Sequence, residues 1–125
     1  MNVLLVADSK WMANQVNAAL AGPHKIIEIS DPYEAEEAAT TAEADLILID
    51  LQVGSMGGMA ITRNLKSLAM AGESTDAPIL LLLDRSADEF LAKRSGADGW
   101  IVKPFTSQDL HAAVAAVVPA AADNS

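Results

Sequence analysis

The chain has 125 residues, 51 % of them hydrophobic, and its 17 acidic and 8 basic side chains give a formal charge of −9. It has the size of one domain able to bury about two thirds of its unfolded surface, and its charge repels phosphate backbones and acidic lipid surfaces, which disfavours direct DNA or RNA binding and a membrane role. The absence of cysteine excludes a disulfide framework, thiolate catalysis and cysteine-ligated zinc, and is compatible with a reducing cytoplasm; neither a leader-like segment nor an apolar run of the roughly 18 residues needed for a membrane span is found.

A first strand is predicted at Val3 to Val6, with Asp8 just beyond its end. Met12, Val16, Ala19 and Leu20 then recur at helical spacing and give one apolar stripe, closed by Gly22-Pro23. Lys25 to Ile29 is the second strand. Asp31-Pro32 supplies a capping acid followed by proline in the first turn, and so opens a second helix, Tyr33 to Glu43. That helix offers only Ala35, Ala38 and Ala39 inward and carries Glu34, Glu36, Glu37 and Glu43 outward, so it is expected to pack shallowly. The third strand, Leu46 to Ile49, is apolar without alternation, the pattern of a parallel strand buried on both faces, and Asp50 closes it.

Ile61, Leu65, Leu68 and Ala69 define a third helix that ends at Gly72. Ala77-Pro78 stops any helix and starts the fourth strand, Ile79 to Leu83. Ser86 to Ser95 is a short fourth helix whose inward stripe is expected to be Ala87, Phe90 and Leu91. With so little to bury it is either an ordinary marginal helix or a movable element. Gly96 closes it, Ala97-Asp98-Gly99 leads into the fifth strand, Trp100 to Val102, and Lys103 follows. Leu110, Val114, Val117 and Val118 mark the fifth helix. Residues 1–118 thus read as one domain and 119–125, small and polar, as a frayed tail. His24 and His111 lack metal-ligand spacing and read as ordinary surface or helix residues.

Strands alternating with helices specify an α/β fold, a parallel sheet with helices on both faces. Right-handed connections place the first and third strands side by side where the strand order reverses, and ligands of such sheets collect outside the carboxyl ends of the strands. Asp8 and Asp50 meet there. A pair of acids that close together favours a hard cation such as Mg2+, and Lys103 supplies a point charge for a phosphate. Taken alone, Asp50 reads equally well as a residue that merely ends its strand.

The segment Asp45-Leu-Ile-Leu-Ile-Asp50-Leu-Gln-Val-Gly-Ser-Met-Gly57-Gly58 resembles the phosphoacceptor strand and loop of response regulator receiver domains, and Gly96-Ala-Asp-Gly-Trp-Ile-Val-Lys103-Pro104-Phe105 resembles their fifth strand and Lys-Pro element. The resemblance runs from Val3 to about Val118. It implies a doubly wound, CheY-like (βα)5 fold with sheet order 2-1-3-4-5. It further implies that Asp50 is the phosphoacceptor, that Asp8, Asp50 and the backbone carbonyl of Gln52 bind Mg2+, that Lys103 partners the phosphoryl group, and that the Lys103-Pro104 bond is cis. A carboxylate can take a phosphoryl group from a phosphohistidine donor when Mg2+ and an ammonium neutralise the transferring oxygens. The donor implied is a sensor histidine kinase or a phosphotransfer protein. The chain would then be a signalling domain and not an enzyme beyond self-phosphorylation and autodephosphorylation.

Three positions depart from the family pattern. Ala7 stands where receivers usually carry the first of two adjacent acids. Leu83 stands where the family has a Ser or Thr that contacts the phosphoryl oxygens, and leucine has no hydroxyl to donate. Asp84 follows it; if the alignment shifts by one, Asp84 itself stands at the hydroxyl position and would repel a phosphoryl group. Two roles are otherwise open for it: it restores the missing charge by holding the metal or pairing with Lys103, or it caps the helix that starts near Ser86. Trp100 occupies a position where the family often has an aromatic residue that reports phosphorylation, and a plain structural aromatic is the alternative.

The leading expectation is a stand-alone receiver that signals through the surface of its fourth helix, fifth strand and fifth helix, by binding a downstream protein, relaying phosphate or self-associating. The alternative is a pseudo-receiver that binds a partner without phosphorylation. A nucleotide- or flavin-binding enzyme is the weaker third reading, because Gly54, Gly57 and Gly58 follow the third strand and form no Gly-rich first loop.

Overall fold

The computed structural model describes residues 1–50 and 57–118. The expectations for Gln52 and Gly54 and for the 119–125 tail therefore lie outside the described residues. Five parallel strands, β1 (Asn2–Val6), β2 (Lys25–Ile29), β3 (Leu46–Asp50), β4 (Ile79–Leu83) and β5 (Gly99–Val102), form one sheet in the order β2-β1-β3-β4-β5. The helices are α1 (Lys10–Leu20), α2 (Ala35–Thr41), α3 (Gly58–Met70), α4 (Glu89–Ser95) and α5 (Ser107–Val117). The α/β class and the expected strand order are both realised. No helix among the described residues is long and apolar enough to cross a membrane.

Successive strand residues point to opposite faces, which explains why β1, β3 and β4 are apolar without a break. On one face Leu46, Leu48, Leu80 and Leu82 pack with Met12, Val16 and Leu20 of α1 and Leu110 and Val114 of α5. On the other, Ile47, Ile49, Leu81 and Leu83 meet Ala35 and Ala39 of α2, Ile61 and Leu65 of α3 and Ala92 of α4. Only helices whose stripes match that two-sided surface can cover it. Local signals fix where they begin. The Ser9 hydroxyl accepts from the Met12 amide at 3.3 Å, and Thr106 and Asp109 form a reciprocal capping box at the start of α5. Asp31 caps the Pro32–Glu34 3-10 turn that leads into α2.

Gly99 opens β5 for a steric reason: a β-carbon there would lie 2.7 Å from Val117 Cγ1 and 3.2 Å from Leu80 Cδ1, so α5 approaches the sheet over a bare backbone. The Lys103-Pro104 bond is cis.

The fourth helix departs from expectation. Ser86–Asp88 is a 3-10 turn, and α4 proper is only Glu89–Ser95. The expected inward stripe of Ala87, Phe90 and Leu91 faces solvent instead, with Phe90 66 % and Leu91 49 % exposed. The buried face is Asp88, Ala92 and Ser95. That set also recurs at helical spacing, and its side chains are small. Arg85 holds Asp88 at 3.1 Å, and the Ser95 hydroxyl donates to the Ala92 carbonyl at 2.6 Å, so the polar members of the inner face are satisfied.

Candidate functional site

The site assembles at the carboxyl ends of β1, β3, β4 and β5. Ile49 pairs in register with Val6, so Asp50 and Asp8 lie just past the same level on neighbouring strands. Asp50 is the last residue of β3 and is only 3 % exposed; Asp8 is exposed, at the rim of a shallow pocket lined also by Ser9, Lys10 and Glu28. On the other side of Asp50, register pairs it with Leu82, and Leu82 with Ile101, which brings Lys103 over the end of β4. The Lys103 amide donates to the Leu83 carbonyl at 2.8 Å and fixes the start of the side chain. Its ammonium then donates to Asp50 Oδ1 at 2.7 Å and to Asp84 Oδ1 at 3.0 Å.

One cation therefore serves two carboxylates. Burial works against the Lys103 charge, but the hydrogen bonds to Asp50 and Asp84, and their attraction, outweigh it and hold the ammonium above the usual lysine range. A buried carboxylate of this kind is tolerated because it is paired and hydrogen-bonded.

The other expected positions fall as follows. Ala7 packs into the core on the α1–α5 side, where an acid would need a partner. Leu83 is fully buried on the opposite face, in register with Val102, and brings no hydroxyl to the site. Asp84 does not cap the following turn: Arg85 occupies that position and no side chain caps it, while Asp84 binds Lys103. Of the two roles left open for Asp84, the pairing with Lys103 is the one observed. Trp100 is half-buried and donates from Nε1 to Glu89 Oε2 at 3.0 Å, which ties β5 to the first residue of α4. His24 and His111, distant in sequence, line one cleft with Met1, Leu20, Pro23 and Val114 at the far pole of the sheet. Gln15 carries no signal in the sequence, yet its side chain donates to the Phe105 carbonyl at 2.6 Å and steadies the loop after Lys103-Pro104 from α1. No local pattern announces a contact between residues 90 positions apart.

Residues 3–115 match the family model described as response regulator receiver domain. The chain belongs to that family. Among curated relatives of this receiver is the response regulator protein PmrA of Pseudomonas aeruginosa, 32 % identical over 94 % of the chain and 52 % of the relative. The DNA-binding response regulator MtrA of Mycolicibacterium paratuberculosis is 31 % identical over 91 % of the chain and 49 % of its own length. The receiver thus spans about half the length of these relatives. Among solved structures, the chemotaxis protein CheY4 of Vibrio cholerae superposes with a TM-score of 0.78 at 29 % identity, over 94 % of this chain and 98 % of that one.

Mg2+ is the metal the family implies. Among the described residues no three carboxylate or imidazole groups converge into a metal cage. Mg2+ does not require one, being commonly held by one or two carboxylates and completed by water and phosphate oxygens. Asp8 and Asp50 at neighbouring strand ends meet that smaller demand.

Proposed function

We propose that this receiver accepts a phosphoryl group on Asp50 from a sensor histidine kinase or a phosphotransfer protein. The observation that carries the reading is the 2.7 Å contact between the Lys103 ammonium and Asp50 Oδ1 at the carboxyl edge of the sheet. An Asp50 oxygen forms a bond to phosphorus as the donor's P–N bond to imidazole breaks; the imidazole leaves with the bonding pair and takes a proton. Burial in the sheet holds the nucleophile in one orientation, and positioning with charge neutralisation supplies nearly all that protein groups can add to such a transfer. Lys103 stays beside the oxygens on which charge accumulates. Mg2+, held by Asp8 and Asp50 with the Gln52 carbonyl, would neutralise further charge on the transferring group.

The output runs through protein contact at the face of α4, β5 and α5, by a downstream protein or self-association. Exposed Phe90 and Leu91 support this reading, since two neighbouring large apolar side chains in water favour a partner. Trp100, bonded to Glu89, is placed to report movement of α4. Incubation with Mg2+ and acetyl phosphate, followed by intact mass, tests the reading: a single phosphoryl gain lost in Asp50→Asn supports it, and no gain under conditions that label an ordinary receiver refutes it.

A second reading, a pseudo-receiver that binds its partner without phosphorylation, is favoured by two observations. Asp84 already occupies Lys103 at 3.0 Å, while Ala7 leaves the metal side one acid short.

A further inference from the structure

The Lys103 ammonium has three hydrogens, and two of them are directed at carboxylates, one at the end of β3 and one just past β4. The two limbs are unequal. Asp50 is 4 % exposed at the side chain and bound at 2.7 Å; Asp84 is 35 % exposed and bound at 3.0 Å. The wetter and longer limb is the weaker one, because solvent screens it and competes for its oxygens. When Asp50 carries a phosphoryl group, new anionic oxygens seek the same ammonium, and like charges placed this close repel.

We propose that Asp84 is an internal counter-anion of Lys103, which holds the ammonium between two carboxylates in the unphosphorylated receiver and is driven off it when a phosphoryl group forms on Asp50. The proposal rests on the reading of Asp50 as acceptor and adds a positioning residue to it. Its consequence is a changed route of signalling. Leu83 has no hydroxyl with which to be drawn toward phosphate. Asp84, however, begins the short segment that leads through Arg85 into the Ser86–Asp88 turn and α4. Repulsion of Asp84 therefore pushes on the segment that enters α4, next to Arg85, whose guanidinium holds Asp88 at 3.1 Å. α4 buries only small side chains, so a displacement there costs little packing.

Asp84→Asn keeps the shape and removes the charge, Asp84→Glu keeps the charge, and Asp84→Ala removes both. Calorimetric titration of Mg2+-loaded protein with beryllofluoride, together with the rate of labelling by acetyl phosphate, reads the competition. Asp84→Asn and Asp84→Ala should bind beryllofluoride about fivefold more tightly and label correspondingly faster, a factor worth about 1 kcal/mol and typical of a partly exposed ion pair. Asp84→Glu should stay within about twofold of the parent, well short of that factor. A parent that labels on Asp50 while Asp84→Asn is unchanged overturns the counter-anion and leaves the acceptor reading standing. A gain in Asp84→Ala alone overturns it as well, because side-chain volume and not charge is then responsible. Absence of labelling and of beryllofluoride binding in every variant overturns the acceptor reading, and this proposal with it.

Discussion

Replacing Lys103 with methionine removes the ammonium and leaves the aliphatic stem, so the change isolates the charge. Asp50 loses its 2.7 Å ammonium partner in a position where its side chain is 4 % exposed, so water replaces that partner poorly. Breaking a buried pair from one side costs about 3 to 5 kcal/mol. An upper bound comes from protonation: neutralising an ordinary carboxylate at pH 7 costs about 4 kcal/mol, three pH units at 1.36 kcal/mol each. Asp84 adds little, being more exposed and already partly hydrated. The loss expected from Lys103→Met is therefore about 2 to 4 kcal/mol, a large share of the roughly 5 to 15 kcal/mol that stabilises a domain. Urea unfolding at pH 7 measures it. Adding Asp50→Asn to Lys103→Met should recover at least about 1 kcal/mol relative to the sum of the two single changes, because the buried carboxylate charge that Lys103 offset is then gone as well. A loss below about 0.5 kcal/mol with strict additivity would show that the pair carries no coupling and would refute the account of the site.

Three further outcomes follow from the packing and the charges. Gly99→Ala should cost about 1 to 3 kcal/mol in urea unfolding, since the new methyl meets Val117 Cγ1 at 2.7 Å; a neutral result contradicts the close approach of α5. Phe90→Ser with Leu91→Ser should cost no more than about 2 kcal/mol, because 66 % of Phe90 and 49 % of Leu91 already face solvent, and a loss above about 4 kcal/mol would place them in the core. His24 is held below its ordinary value of 6.5 by burial first, then by the amino terminus and His111. The unfolded chain therefore binds more protons at that group as pH falls, so its effect on stability is absent above 6.5 and grows unfavourable below it. Thermal unfolding at pH 7.5 and 5.5 should show a smaller acid loss in His24→Gln than in the parent; equal losses count against the assignment.

The strands were legible because burial on both faces leaves a mark that needs no context: Leu46 to Ile49 and Ile79 to Leu83 admit no polar residue. The helix ends were legible for a local reason too, since Asp31-Pro32, Gly72 and Gly96 act through their own backbones. Asp50, Asp8 and Lys103 could be placed together from topology alone. The roll of α4 could not, because Ala87, Phe90 and Leu91 and the alternative Asp88, Ala92 and Ser95 both recur at helical spacing. Hydrophobicity favours the first set, but the second is the one buried against the neighbouring elements. Asp84 was ambiguous for a similar reason, as capping and ion pairing demand the same residue type and only the position of Lys103 separates them. Gln15 and Phe105 meet across the fold with no local signature.

Signalling by this receiver turns on whether Asp50, buried against Lys103, is a phosphoacceptor. Intact mass after incubation of the full chain with Mg2+ and acetyl phosphate measures that directly, with Asp50→Asn alongside. A gain of a single phosphoryl group that maps to Asp50 and vanishes in Asp50→Asn is the predicted result; an unlabelled parent, or equal labelling of Asp50→Asn, contradicts it.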